Sequence, residues 1–461
     1  MKNKPASVSE FILAAVSAVF ALPLAGQAAN PAPADWQKPA WLGDLSLGVK
    51  ESYDDNVLGV SGNGLSPQTA WVSDVALKLG FNLVPLLGEQ NAVQTLAFVY
   101  QPDFVSYDGA SAENYDAHRF ITTLKGKSGQ ISFSFDNTLL YNDGSKIAPT
   151  YALNQLAGAA ANQNDKFRNN YAHGLARERR NQIQDRYTAA LQYNSGSYFV
   201  RPVSSLTYYS LNTDLHNTGA APYKGYQDYV DRYDVNAGVD FGYKFEPALA
   251  VTLGYRYGYQ DQQRFALAIN SDQHFSSGYY QRVLLGLEGK LGKDVTIKLA
   301  AGPDIRDYNA RTPVNDLNTT RYYAEAAITA TLAPDQSLNF NFKRWIFVAS
   351  TGLAPYIDTT CTLTYHWSAT KQLGIDLGAK MLEANYTMGN DVAGSAPSLR
   401  DDLDYGAVAT LAYAITPHFS ASLAYNYDKG KDGLNNLPAS LQSAYREFSH
   451  NVFTFGAQYK F

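Results

Sequence analysis

Charge is scarce in this chain of 461 residues: Asp, Glu, Lys and Arg together make up only 17%. The net charge of −5 is small and no long basic run occurs, which argues against nucleic acid as a partner. Cysteine occurs once, at Cys361, so no internal disulfide is possible. Beyond the N-terminus no stretch approaches the roughly 20 apolar residues that a membrane-spanning helix needs. Catalytic signatures are missing as well: neither GxSxG nor HExxH occurs. His118, His173, His216, His274, His366, His418 and His450 are scattered, without the Ser/His or Asp/His arrangement of a membrane-embedded hydrolase. The sequence therefore reads as a non-enzyme, without cofactor or metal.

Aromatic residues, by contrast, are plentiful. They make up 13% of the chain, with 34 Tyr against 5 Trp. Tyrosine suits the girdles of a transmembrane barrel, where the ring sits in lipid and the hydroxyl meets headgroups. At the N-terminus Lys2 and Lys4 precede an apolar run from Phe11 to Ala25, followed by Gly26-Gln27-Ala28. This is the pattern of a secretory signal peptide, placed at residues 1–29, with a Pro/Ala-rich lead-in over 30–41 and a barrel over 42–461.

The barrel expectation rests on alternation with period two. At the C-terminus Phe453, Phe455, Ala457, Tyr459 and Phe461 alternate with the small or polar Thr454, Gly456, Gln458 and Lys460. Successive side chains of a strand point to opposite faces, so one face is greasy and the other is not. The same pattern recurs upstream, most clearly where Val235, Ala237, Val239, Phe241, Tyr243 and Phe245 oppose Asp234, Asn236, Gly238, Asp240, Gly242 and Lys244. Eighteen such strands can be counted. This predicts an all-β fold: a transmembrane antiparallel β-barrel of about 18 strands in the outer membrane. The facing of the stretch 92–125 stays open.

Connections add to this. Short ones (126–129, 194–197, 246–248, 416–418) alternate with long ones (54–70, 142–180, 212–229, 429–447), as periplasmic turns and extracellular loops do in such barrels. Greasy-face exceptions Glu51, Arg344 and Glu383 all lie near a long loop, where charge costs little. The other face carries Arg256, Arg282, Glu288, Lys298, Arg321, Glu325, Lys343 and Lys380 among its charges, and these are expected to line a hydrated lumen.

The first strand and its exit contain Ser52-Tyr53-Asp54-Asp55-Asn56-Val57. With the secretory N-terminus and the Phe461 ending, this stretch is similar to the type 2 family of bacterial β-barrel porins. The resemblance implies an outer-membrane barrel, and some members accompany surface-polysaccharide export systems. Two functions follow as expectations: a porin-like channel for passive diffusion of small hydrophilic solutes, or a barrel dedicated to polysaccharide export with periplasmic partners. Phe461 resembles the terminal aromatic signal read by the barrel-assembly machinery, and lipid with lipopolysaccharide is expected around the wall.

Within this frame, Asp54-Asp55-Asn56 reads as a turn rather than half of a calcium site, because three neighbours cannot supply six ligands. The connection 142–180 holds six cations against three anions, a net +3. Arg168, Arg177, Arg179 and Arg180 within it are candidates for a pore constriction that favours anions, with a solvated surface loop as the alternative. Tyr209, Tyr280, Trp345 and Phe347 fall on the inner face, where aromatics pack against loops or stack on sugar rings.

Overall fold

The computed structural model describes residues 38–57, 68–88, 92–144, 181–211, 231–262, 277–308, 319–347, 356–385, 401–432 and 448–461. The signal peptide and most of the lead-in expected from the sequence lie outside these residues. Eighteen strands follow one another: β1 (Leu42–Asp54), β2 (Ala70–Asn82), β3 (Val93–Tyr107), β4 (Tyr115–Ser128), β5 (Ile131–Asp143), β6 (Gln182–Ser195), β7 (Tyr198–Leu211), β8 (Arg232–Glu246) and β9 (Leu249–Gln262). They continue as β10 (Gly278–Leu291), β11 (Val295–Tyr308), β12 (Thr319–Ala333), β13 (Gln336–Phe347), β14 (Tyr356–Ser368), β15 (Leu373–Asn385), β16 (Asp401–Ala414), β17 (Phe419–Asp432) and β18 (Phe448–Lys460). Each pairs antiparallel with its neighbours in sequence, and β1 pairs with β18, so the sheet is closed. Closure leaves no strand edge for lipid to satisfy.

The seam runs from Ser46 opposite Lys460 to Asp54 opposite Val452. Phe461 extends it, its backbone N–H donating to the Leu45 carbonyl at 3.0 Å. Strand lengths of 12 to 15 residues exceed the roughly 9–11 needed to cross a bilayer at a tilt, so strand ends project beyond it. No helix among the described residues is long and apolar enough to cross a membrane.

One face is set by residues that water would reject. Trp71, Phe241, Leu253, Leu285, Leu423 and Phe453 are each at least half exposed and alternate with the polar positions of their strands. Rings gather near both ends of this outer face. Tyr53–Trp71 and Tyr259–Tyr279 meet at 5.4 and 4.8 Å near the long connections, Tyr198–Tyr243 and Tyr459–Phe461 at 5.2 and 4.8 Å near the short turns. An apolar band between aromatic girdles on a closed strand wall is a lipid face, and the chain is a transmembrane barrel of the outer-membrane type. The structure also settles the facing of β3 and β4. Phe98, Tyr100, Phe104, His118 and Phe120 make ring contacts with one another on the outer face, and Asp103 and Arg119 point inward.

Three prolines interrupt the ladder in one way. Pro102, Pro202 and Pro303 keep Cα partners on one neighbouring strand (His118, Val239, Tyr322), while pairing lapses beside each on the other. Proline has no N–H to donate, so only one side of the strand can be served there.

Candidate functional site: the lumen and its inward-bent hairpin

Inward side chains of β7 to β13 face a cavity of about 850 Å³. Its wall is charged with both signs in close pairs. Arg201 on β7 forks onto Glu288 on β10 at 2.7 and 2.8 Å and meets Asp240 on β8 at 3.0 Å. Arg256 on β9 reaches the other oxygen of Asp240 at 2.7 Å. Lys298 faces Glu325 at 3.8 Å, and Glu325 also accepts from the Tyr323 hydroxyl at 2.6 Å. Arg201–Asp240, Arg256–Asp240 and Lys298–Glu325 span adjacent strands and Arg201–Glu288 crosses three, because alternation puts every second residue of each strand on the same inner face.

Nearer the long-connection end the charges pass out of water. Asp304 and Gln260 are 0% exposed, Arg306 3% and Arg282 5%. Asp304 accepts from Arg282 Nε at 2.9 Å and from Arg306 Nε and Nη2 at 2.7 and 2.9 Å. Gln260 donates to Asp234 at 2.5 Å and accepts from Arg306 Nη1 at 2.7 Å, while the Tyr280 hydroxyl donates to Asp234 at 2.9 Å. Both guanidinium groups lie over the Tyr280 ring, Arg282 at 4.1 Å and Arg306 at 4.4 Å. The Tyr280 ring occupies the space that a Cβ on Gly258 would fill, the nearest ring carbon being 2.2 Å from that point, so only glycine lets the ring lie against β9.

What buries this network is the end of β13 and β14. Gln260 Nε2 and Arg306 Nη2 both donate to the backbone carbonyl of Ile346, at 2.9 and 3.0 Å. Gln260 stands on β9, four strands from β13, roughly 19 Å along the wall at ~4.8 Å per strand. A hydrogen bond over that separation requires β13 to lean into the lumen. Further contacts agree. Phe347 packs against Tyr209 of β7 with ring centroids 6.2 Å apart, and the Arg232 guanidinium lies 4.7 Å from each ring. Ile346 packs with Tyr308 and Ile357, so β14 accompanies β13 inward. Trp345 stacks on Phe347 at 4.4 Å and carries the Lys343 ammonium 3.6 Å from its ring centroid. Desolvated cations over aromatic rings add to the hold.

The lumen residues expected from the sequence are placed as follows. Arg256, Arg282, Glu288, Lys298, Glu325 and Lys343 border the cavity. Arg321 lies on the inward face of β12, opposite Asp304 and exposed. Lys380 is on the far wall, paired with Asp428 at 2.6 Å. Arg168, Arg177, Arg179 and Arg180 lie outside the described residues. Phe461 is half exposed at the short-turn end, its ring against Tyr459. Of the inner-face aromatics, Tyr280 is taken up by arginines, Tyr209 and Phe347 by Arg232, and Trp345 by Lys343. Sequence reasoning missed Arg201, Arg232, Gln260 and Arg306. Arg306 and Gln260 continue the even-numbered inward positions of their strands, and that continuation was the available signal. Asp54-Asp55-Asn56 does form a local turn, with the Asn56 N–H donating to Asp54 Oδ1 at 2.9 Å.

No family model matches the chain, and no curated protein matches it. Solved structures do resemble it. Pseudomonas aeruginosa OccK2 (OpdF), in complex with glucuronate, aligns over 92% of this chain and 100% of its own with 12% identity and a TM-score of 0.41. The siderophore receptor PirA from Acinetobacter baumannii aligns over 92% and 81% with 8% identity and a TM-score of 0.41. A loop-deletion mutant of OmpT, an outer membrane protein of Vibrio cholerae, aligns over 91% and 98% with 12% identity and a TM-score of 0.28.

Proposed function

We propose that this chain is an outer-membrane channel through which small hydrophilic solutes diffuse passively. The observation that carries this reading is the interior: a cavity of about 850 Å³ lined by paired charges, inside a wall whose outer face is apolar. A barrel serving only as an anchor has no need of a charged, water-accessible lumen, whereas a polar solute needs such a path across hydrocarbon. The inward-bent ends of β13 and β14 then form a constriction fixed to the wall, and solute passes beside them. Both signs line the wall in close pairs, so the described lumen favours neither ion strongly. Net selectivity falls to the arginines of the connection between β5 and β6. We assign a preference for anions to Arg168, Arg177, Arg179 and Arg180, the candidates for a pore constriction.

Membership of the type 2 porin family and a role in polysaccharide export rest on the motif around Asp54-Asp55-Asn56. No described feature favours export, because the inner aromatic rings are already covered by cations. Phe461, exposed at the chain end beside Tyr459, is the residue we assign to recognition by the assembly machinery, and the girdles are assigned to lipid and lipopolysaccharide.

Planar-bilayer recording on the purified chain tests the channel reading. Discrete, voltage-supported conductance steps are expected. A protein that inserts, shows the heat-modifiable mobility of a folded barrel and conducts nothing would falsify it.

A further inference from the structure

The seam between the first and last strands carries a cluster that conduction does not use. Asp54 ends β1, Asp55 follows it, and His450 stands near the start of β18, with one ligand atom of each within 4.8 Å of the other two. Asp54 Oδ1 and His450 Nε2 are 2.8 Å apart. Two ligands of one metal ion, each held at roughly 2.0–2.2 Å, stand about this far apart or slightly more. The Asp55 oxygens accept from the backbone N–H and the amide of Asn451, both at 2.7 Å. Hydrogen bonds of that kind orient a carboxylate and leave lone pairs for a metal.

A second observation is independent of the carboxylates. His450 is 6% exposed, and its other ring nitrogen, Nδ1, is buried without a hydrogen-bond partner among the described residues. Asp428, also 6% exposed, stands 3.9 Å from that nitrogen, too far for a hydrogen bond, and gives its other oxygen to Lys380. With Nε2 turned to Asp54 and Nδ1 to Asp428, the ring has the arrangement of a ligating histidine, one nitrogen for a metal and a carboxylate behind the other.

We propose that Asp54, Asp55 and His450 bind a divalent transition-metal ion that clamps β1 to β18, with Asp428 completing the charge around it. One imidazole with carboxylate oxygens suits zinc or manganese, whereas calcium takes six to eight oxygens and has no use for the ring. The unfolded chain holds no such arrangement, so the ion stabilises the closed barrel by mass action.

The test uses the full chain in detergent, stripped with chelator and titrated with zinc by calorimetry and by the temperature at which the heat-modifiable form is lost. Expected are one zinc per chain and a rise of several degrees, both abolished by His450→Gln. The exposed His366–Asp376 pair and the exposed His418 are the obvious adventitious sites, so His366→Gln/His418→Gln should bind as the wild type does. Should His450→Gln fail to fold, anomalous scattering at the zinc edge from wild-type crystals locates the ion directly, between Asp54 and His450. No binding at millimolar zinc, binding that survives His450→Gln, or an anomalous peak elsewhere each overturns the site. Such a result would leave the His450–Asp54 hydrogen bond as one more contact beside the seam's backbone ladder.

Discussion

At the long-connection ends of β10 and β11 the inward charges are sealed off: the side chains of Asp304 and Arg306 are 1% exposed, and that of Arg282 is 6%. On β1, β2, β4 and β5 they stand in water: Lys78 and Asp44 are 38% and 35% exposed, Lys125 and Asp136 53% and 48%. The alternation is the same, and both sectors pair aspartate with a cation, arginine in the first and lysine in the second. What differs is cover. One sector lies under the inward-bent ends of β13 and β14, and its ions rely on one another and on buried polar groups such as Gln260 and the Ile346 carbonyl. The other faces the lumen, where water does most of that work. A buried ion pair is costly to break from one side, because the remaining charge has no solvent. A solvated pair is worth little either way.

The sharpest way to break this comparison is Asp304→Ala. It leaves Arg282 and Arg306 buried without their shared carboxylate, and the cost should be about 3–5 kcal/mol. Asp136→Ala, on the open side, should cost under about 1 kcal/mol. Urea unfolding of the refolded barrels measures both. Equal losses would mean that cover is irrelevant.

Next in size is the hairpin itself. Phe347→Ala removes the ring that closes on Tyr209 and Arg232, at about 3 kcal/mol, the lower edge for truncating a packed phenylalanine. Single-channel conductance should rise at the same time, since the constriction loses its tip. An unchanged conductance would show that the bent ends do not limit the path.

The strand count, the short-turn and long-connection ends and the two faces were legible in the sequence, because period-two alternation is local and survives in nearly every strand. The facing of 92–125 was not: Pro102 breaks the ladder there, and Thr122 and Thr123 blur the contrast between faces. Lumen charges such as Arg282 and Glu288 could be assigned to a face, but not to partners. Pairing depends on register across strands, and Arg201 meets Glu288 three strands away. The inward bend was wholly invisible. Its decisive acceptor is a backbone carbonyl, that of Ile346, and no side chain announces what a carbonyl will accept.

Selectivity should respond to the connection between β5 and β6 more than to the paired wall. Neutralising Arg168, Arg177, Arg179 and Arg180 together should move the reversal potential in a salt gradient towards cations. The shift should fade near 1 M salt, where screening acts over roughly 3 Å. Replacing Arg256 and its partner with Arg256→Gln/Asp240→Asn removes one charge of each sign and should move the reversal potential much less. If the wall variant shifts it more, selectivity resides in the described lumen instead.

The smallest effect is expected where the distance looks most favourable. Lys78 and Asp44 approach to 2.5 Å, closer than any pair around Asp304. If separation set the energy, this would be the strongest bridge in the lumen. Yet both side chains are more than a third exposed, so water screens their attraction and solvates whichever partner is left alone. Holding a long lysine in one rotamer also costs entropy that a solvated contact barely offsets. Lys78→Ala should therefore change stability by under about 1 kcal/mol, with conductance unaltered. Urea midpoints measured beside Asp304→Ala decide the matter, and a loss above about 2 kcal/mol would show that distance rather than cover governs the lumen's ion pairs.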